Sequence, residues 1–353
     1  MNRKVALQNI RIICPVIATY LANSYASEAR MFIHGKFEIS SSEGTVQGDP
    51  LAMPWFSLNT LTLIEHLSLV TPGIKQVWLA DDASAGGSLE SLVTWYGNLI
   101  KTGEKFGYYV NLNKSWLILK STENLEDAKR LFGDRINISL DGQRHLGAVI
   151  GSEKFKDEFC TEKVSGWVGD LEALCEIAKS EPHAAYQAYT KGYYSKFLYF
   201  MRTIKDFGTY LKPVENLLTT KFIPTLLGMS EPPDANNRRL YALPPKYGGL
   251  NIKFPSAEAS IQYENSISIT KGHVNAIVKQ ENTWDALDEF GNTIKMLKTE
   301  VQAKITEQKK LMIREVDTSL DENLARLVDQ ARDKGASSWL TVNPNYRQDM
   351  VLN

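Results

Sequence analysis

Two adjacent acids, Asp81 and Asp82, end the apolar run Val77-Trp78-Leu79-Ala80 and precede Ala83-Ser84-Ala85-Gly86-Gly87. Like charges side by side at the end of a strand pattern repel each other and lose hydration unless a cation offsets them. A divalent metal is such a cation, and two-metal phosphoryl transfer sets carboxylates on rigid backbone around ions ~3.5–4 Å apart. Oxygen donors without Cys or His point to Mg2+ (or Mn2+) over zinc. Read alone, the pair is more often a solvated turn than a metal site, because Asp is common in turns.

The other chemistry-bearing residues narrow the field. The five histidines, His34, His66, His145, His183 and His273, are scattered without metal-ligand spacing, and no GxxxxGK, HExxH or GxSxG is present. A P-loop, a zincin and an α/β-hydrolase are therefore disfavoured. Cys14, Cys160 and Cys175 are odd in number and lack CxxC spacing, which argues for free thiols in an intracellular, reducing setting, cytoplasmic or nuclear. The net charge of -1 supplies no whole-chain attraction to nucleic acid. Between Ala184 and Leu250, however, nine Lys or Arg stand against four acids, and Lys191, Lys196, Arg202 and Lys205 interleave with Tyr186, Tyr189, Tyr193, Tyr194, Phe197, Tyr199 and Phe200. That mixture suits a phosphate backbone with aromatic support, or equally a helix core with a solvated face.

These residues need elements to hold them. Val5, Ile10, Ile13, Ile17, Tyr20 and Leu21 predict an amphipathic helix over residues 2–25, broken or bent near Pro15. The apolar run at the start is too short to span a membrane. ARMFIHGKFEIS predicts a hairpin about His34-Gly35, and a helix follows Pro50, which suits its first turn. Pro72-Gly73 ends that helix, and residues 74–80 predict a short strand leading to the acids. Ser88 is placed to cap a helix whose apolar face is Leu89, Leu92, Val93, Tyr96, Leu99 and Ile100, with Gly107 as its stop. Tyr108 to Lys120 reads as strand. From about residue 165 the pattern is helical, ending in a long helix over 292–334 with Ile294, Leu297, Val301, Ile305 and Met312 on one face.

Four segments stand in a fixed order: EGTVQGDPLAM (43–53), VWLADD (77–82), GYYVNLNK (107–114) and RHLG (144–147). Together they resemble the palm motifs of reverse transcriptases of mobile genetic elements. EPHAAYQAYTKG, KFIPTLLG, LPPKYGGLNI and KGASSWLT look like the thumb and downstream regions of retroelement polymerases.

The resemblance implies an α+β chain with a partial polymerase palm over 1–150, an antiparallel sheet with packed helices. A helical thumb over 151–250 and a helical C-terminal extension over 251–353 would follow. It implies template-directed nucleotidyl transfer, with an RNA template, a DNA primer or RNA/DNA hybrid, and deoxynucleotides as partners. No membrane is implied. Asp81 and Asp82 are implied to be metal ligands for Mg2+ or Mn2+, and Gln47 and Gly48 to line the nascent base pair. Lys114 is implied to lie near the leaving pyrophosphate, although alone it is equally a surface lysine after a strand. Lys191, Lys196, Arg202 and Lys205 fall where a thumb grips the duplex. Asp49 is better read as a helix-start acid than as a ligand.

Two departures stand out. The family carries a further catalytic Asp on a strand before the segment that resembles NRKVALQNI (2–10), whereas Met1 stands there in this chain. The only acids before Asp49 are Glu28, Glu38 and Glu43. The hairpin also has Leu79 where Tyr or Phe is usual. The expectation is therefore a polymerase truncated before its first Asp motif, unable alone to complete a two-metal site. A non-catalytic RNA/DNA-binding remnant and a helical interaction protein acting through 292–334 are the alternatives.

Overall fold

A computed structural model of the chain describes residues 1–33, 37–281, 287–333 and 340. The turn at His34-Gly35 and most of KGASSWLT lie outside the described residues. Contacts divide the chain into two compact units, residues 1–140 with 275–282, and residues 141–274 with 283–353.

In the first unit, Asn2 caps α1 (Arg3–Ile13) by accepting from the Lys4 and Val5 amides. The predicted break is real: Cys14 leaves helical geometry, and Pro15 opens α2 (Pro15–Tyr25), where its missing N–H costs nothing. Strands β1 (Ala29–Ile33) and β2 (Phe37–Ser41) pair antiparallel. Helix α3 (Ala52–Val70) follows, two residues after Pro50, which sits in the turn before it. Its Trp55 packs with Ala6, Ile10, Leu21 and Tyr25, whereas Leu63 and Leu67 enter a second cluster with Ile74, Trp95, Leu99 and Phe132.

Strands β3 (Lys75–Leu79) and β4 (Asp82–Gly86) form the hairpin that carries the acids, in register Leu79↔Asp82. Ser88 caps α4 (Leu89–Phe106) and Gly107, at φ +70°, ends it, both as predicted. Strand β5 (Trp116–Ile118), α5 (Leu125–Phe132) and β6 (Asn137–Ser139) complete the unit.

The expectation of one antiparallel sheet is corrected here. Among the described residues the strands form separate two-stranded ladders, and β5 with β6 is parallel. The connection explains the direction, since a crossover through α5 returns the chain to the same end of the ladder. The strand expected over 108–120 shrinks to three residues because Leu112–Lys114 winds into a 3-10 turn.

Among the described residues no third strand joins the β3–β4 hairpin, and beside the packing of Trp78, Ala83 and Ala85 on the core, one buried side chain ties it to its neighbours. The Gln76 amide donates to the Ile64 carbonyl (3.0 Å) and Ser68 Oγ (2.6 Å) of α3, and its Oε1 accepts from the indoles of Trp78 (3.1 Å) and Trp95 (3.2 Å). Both donors and both lone pairs are used. By the alternation of an antiparallel ladder, the main chain of Gln76 faces the outer edge of β3. There the Gln280 amide gives and takes one bond each, at 2.9 and 3.0 Å.

In the second unit, β7 (Gly142–His145) and β8 (Ala148–Gly151) pair antiparallel about Leu146 and Gly147, both at positive φ. Helices α6 (Glu153–Ser180), α7 (Pro182–Gln187) and α8 (Ser195–Thr203) follow, with a π-helical stretch at Ala188–Tyr193. Next come α9 (Lys212–Leu217), a second π stretch at Leu218–Phe222, α10 (Ile223–Leu227), α11 (Ala235–Ala242) and α12 (Pro255–Lys279). Tyr189 and Phe222, one from each π stretch, meet in the core with ring centroids 5.2 Å apart and planes tilted by 41°. The long final helix is two: Asp321 caps α14 (Glu322–Arg332) after α13 (Leu287–Ser319). Val316 and Val328 pack with Leu240 and Leu243. No described helix is long and apolar enough to cross a membrane.

Replacing Gln76 by Leu leaves two indole N–H groups without their acceptor. We expect a loss of about 1–3 kcal/mol in denaturant unfolding, the cost of buried donors left unpaired. A change below about 0.5 kcal/mol, the level of an ordinary surface substitution, would remove Gln76 from this role.

Candidate functional site

The acids occupy the tip of the β3–β4 hairpin. Ala80 and Asp81 form its two-residue turn, with Ala80 at φ +54°, and Asp82 is the first residue of β4. Both acids are exposed, and among the described residues neither forms an ion pair. Leu79, where the resemblance leads one to expect an aromatic, is 60% exposed, so it does not fill the space beside the turn.

The aromatic at the turn comes from elsewhere. Tyr108 donates its hydroxyl to the main-chain oxygen of Asp81 at 2.7 Å, and its ring meets Trp78 edge-on at 5.3 Å. Its position follows from the end of α4. Gly107 in the left-handed region lets the Tyr108 amide reach back to the Gly103 carbonyl at 2.9 Å, a Schellman closure. A side chain at Gly103 would begin 2.7 Å from the Tyr108 carbonyl. Burial, and after it the negative charges of Asp81 and Asp82, push the Tyr108 hydroxyl up to about 12. This role of Tyr108 was not expected from GYYVNLNK; its place one residue after the helix-stop glycine was the available signal.

Gln47 and Gly48 are the central pair of a β-turn closed by the Asp49 amide on the Val46 carbonyl (3.2 Å). Gly48 at φ +95° gives the turn its type II form, which requires a residue tolerant of positive φ. Nothing lies within 4 Å of where its side chain would begin. One hydroxyl grips both flanks: Tyr25 Oη donates to Asp49 Oδ2 (2.5 Å) and accepts from the Val46 amide (3.2 Å). Burial and the bond to Asp49 raise the Tyr25 hydroxyl above its usual range. Asp49 Oδ1 accepts from the Leu51 amide (2.8 Å), which agrees with a helix-start role. The buried Arg3 guanidinium lies 5.2 Å from the Tyr25 ring and donates to the Ser41, Glu43 and Gly44 carbonyls.

Lys114 is exposed at the end of its 3-10 turn, which the Asn137 amide of β6 holds through the Leu112, Asn113 and Ser115 carbonyls. Among the described residues no hydrogen bond or ion pair joins Lys114, Gln47 or Gly48 to either acid. The structure thus gathers Asp81, Asp82 and Tyr108, and supports Gln47–Gly48 and Lys114 separately.

Lys191, Lys196, Arg202 and Lys205 are all exposed. Lys196 pairs with Asp170 at 2.7 Å, and Arg202 donates to Gln262 at 3.0 Å. The interleaved aromatics divide. Tyr186, Tyr189, Tyr193 and Phe197 are buried and cannot stack on a base, Tyr194 and Phe200 are half-buried, and Tyr199 is exposed. Arg238, another cation of this stretch, is buried on the Ile252 and Lys253 carbonyls.

The hairpin offers two exposed carboxylates as oxygen donors. Mg2+ is held by one or two carboxylates, retaining waters or taking substrate phosphates for the rest. Among the described residues no group of three His, Cys, Asp or Glu is close enough to hold an ion. No protein-family model matches the chain, and no curated protein matches it.

Replacing Asp81 and Asp82 together by Asn removes two of the three causes that raise Tyr108, so its pKa should fall from about 12 toward the ordinary 10. A ring-carbon NMR titration, assigned with Tyr108→Phe, reads this. Because folding favours the neutral phenol, its stabilisation is full below pH 10 and is lost as pH climbs through about 12. Independently, Tyr25→Phe should cost about 1–2 kcal/mol and speed hydrogen exchange at the Val46 amide.

Proposed function

We propose that this chain is a reverse-transcriptase-like polypeptide of a mobile element, in the class of RNA-directed DNA polymerases. Residues 1–150 contribute part of a palm, 151–250 a thumb-like region and 251–353 a helical extension. The observation that carries the reading is Asp81–Asp82, exposed at the tip of an antiparallel hairpin and, among the described residues, without an ion pair. A strand pattern followed by two uncompensated charges is otherwise unfavourable.

In this reading Asp81 and Asp82 hold Mg2+ or Mn2+. When bound, the cation supplies electrostatic stabilisation of the oxygens that change partners during nucleotidyl transfer. Gln47 presents its amide, and Gly48 its open backbone, to the nascent base pair of primer, template and incoming deoxynucleotide. Lys114 offers positive charge to the leaving pyrophosphate. Lys191, Lys196, Arg202 and Lys205 follow the backbone of an RNA template with its DNA primer. The three free thiols accord with a cytoplasmic or nuclear setting.

Two carboxylates do not complete a two-metal cradle, so this chain alone should not extend a primer. On a primed RNA template with Mg2+ or Mn2+, we expect no incorporation. Incorporation abolished by Asp81→Ala would overturn the inactivity while supporting the metal pair. The exposure of all four cations also favours a non-catalytic role in holding RNA/DNA hybrid. Hybrid binding should weaken steeply with salt and be lost when Lys191, Lys196 and Arg202 are neutralised together; no binding at low salt would reject it.

A further inference from the structure

The turn that carries the acids is in a conformation its own sequence disfavours. Two-residue hairpin turns place Gly, Asn or Asp where φ is positive, and here that position, at φ +54°, is Ala80. The two carboxylates that follow repel each other, which adds to the tendency of the turn to open. Something outside the hairpin must hold it.

We propose that Tyr108 is the positioning residue of the acid pair, its hydroxyl holding the Ala80–Asp81 turn in the conformation in which Asp81 and Asp82 serve one divalent cation. The bond runs from Tyr108 Oη to the main-chain oxygen of Asp81 at 2.7 Å. It therefore acts on the backbone and leaves the carboxylate oxygens for the ion. Tyr108 is itself firmly placed. Gly107 and Gly103 set its main chain, and Trp78, whose indole is bonded to Gln76, lies against its ring. The route from the buried amide of Gln76 to the tip thus passes through Trp78 and Tyr108. The proposal rests on reading the pair as a Mg2+ or Mn2+ site.

The test adds Mn2+ alone to the full chain and follows paramagnetic broadening of backbone amide signals, with free Mn2+ counted by electron paramagnetic resonance. In the unaltered chain, broadening should centre on residues 80–83 and vanish when both acids are replaced by Asn. Tyr108→Phe should weaken Mn2+ binding by about tenfold, the value of one net hydrogen bond. Adding Ala80→Gly to Tyr108→Phe should restore most of the affinity, because glycine adopts positive φ without strain. That recovery separates control of the turn from general support of the fold. Tyr108→Phe binding as tightly as the unaltered chain would overturn the proposal and leave the metal reading standing. Failure of Ala80→Gly to restore binding would overturn it too, by showing that the hydroxyl does not act through the turn. No broadening at the hairpin in the unaltered chain would overturn the metal reading itself, and this proposal with it.

Discussion

The Gln76 side chain is the contact on which the arrangement of the first unit turns. An isolated two-stranded hairpin is marginal in water, and among the described residues β3 and β4 have no third strand. A sheet would have fixed the hairpin by a ladder of main-chain bonds. Here one amide, 8% exposed, ties β3 to α3 and to the indole of Trp95 on α4, while Gln280 covers the outward main chain of the same residue. Every polar atom of Gln76 has a partner, which is the condition for a buried amide to stabilise its surroundings.

From that anchor the constraint passes outward to charge. Trp78 shares the Gln76 acceptor and lies against Tyr108, and Tyr108 reaches the turn between the strands. The result is a hydrogen-bonded base under a tip whose two negative charges form no ion pair among the described residues. The Gln47–Gly48 turn is built on the same plan. A tyrosine hydroxyl, here that of Tyr25, holds the Val46 amide on one side and the Asp49 carboxylate on the other side of the residues presented to solvent. In both places a phenol holds backbone, and the groups with chemical potential remain open.

Local signals were legible in the sequence wherever one residue type decides a backbone conformation. Pro15 announced the break between α1 and α2, and Ser88 and Gly107 bounded α4. Signals that depend on partners distant in the chain were not legible. Gln76 reads as an outward polar residue of a strand, and nothing near it announces that two tryptophans and Gln280 converge on it. Tyr108 reads as one more aromatic. The parallel pairing of β5 and β6 follows from α5 crossing between two three-residue strands, too short to register as a period. The tyrosines between 186 and 197 illustrate the reverse error, since the spacing that interleaves them with lysines also turns most of them into the core.

The central claim is that Asp81 and Asp82 form a cation site held from below by side chains. Crystals of the chain soaked in Mn2+ test it most directly, through the anomalous scattering of the metal. The account predicts one anomalous peak in contact with both carboxylates, with Tyr108 still bonded to the main chain of Asp81. A hairpin without such a peak, or with either acid paired to a lysine or arginine, would contradict it.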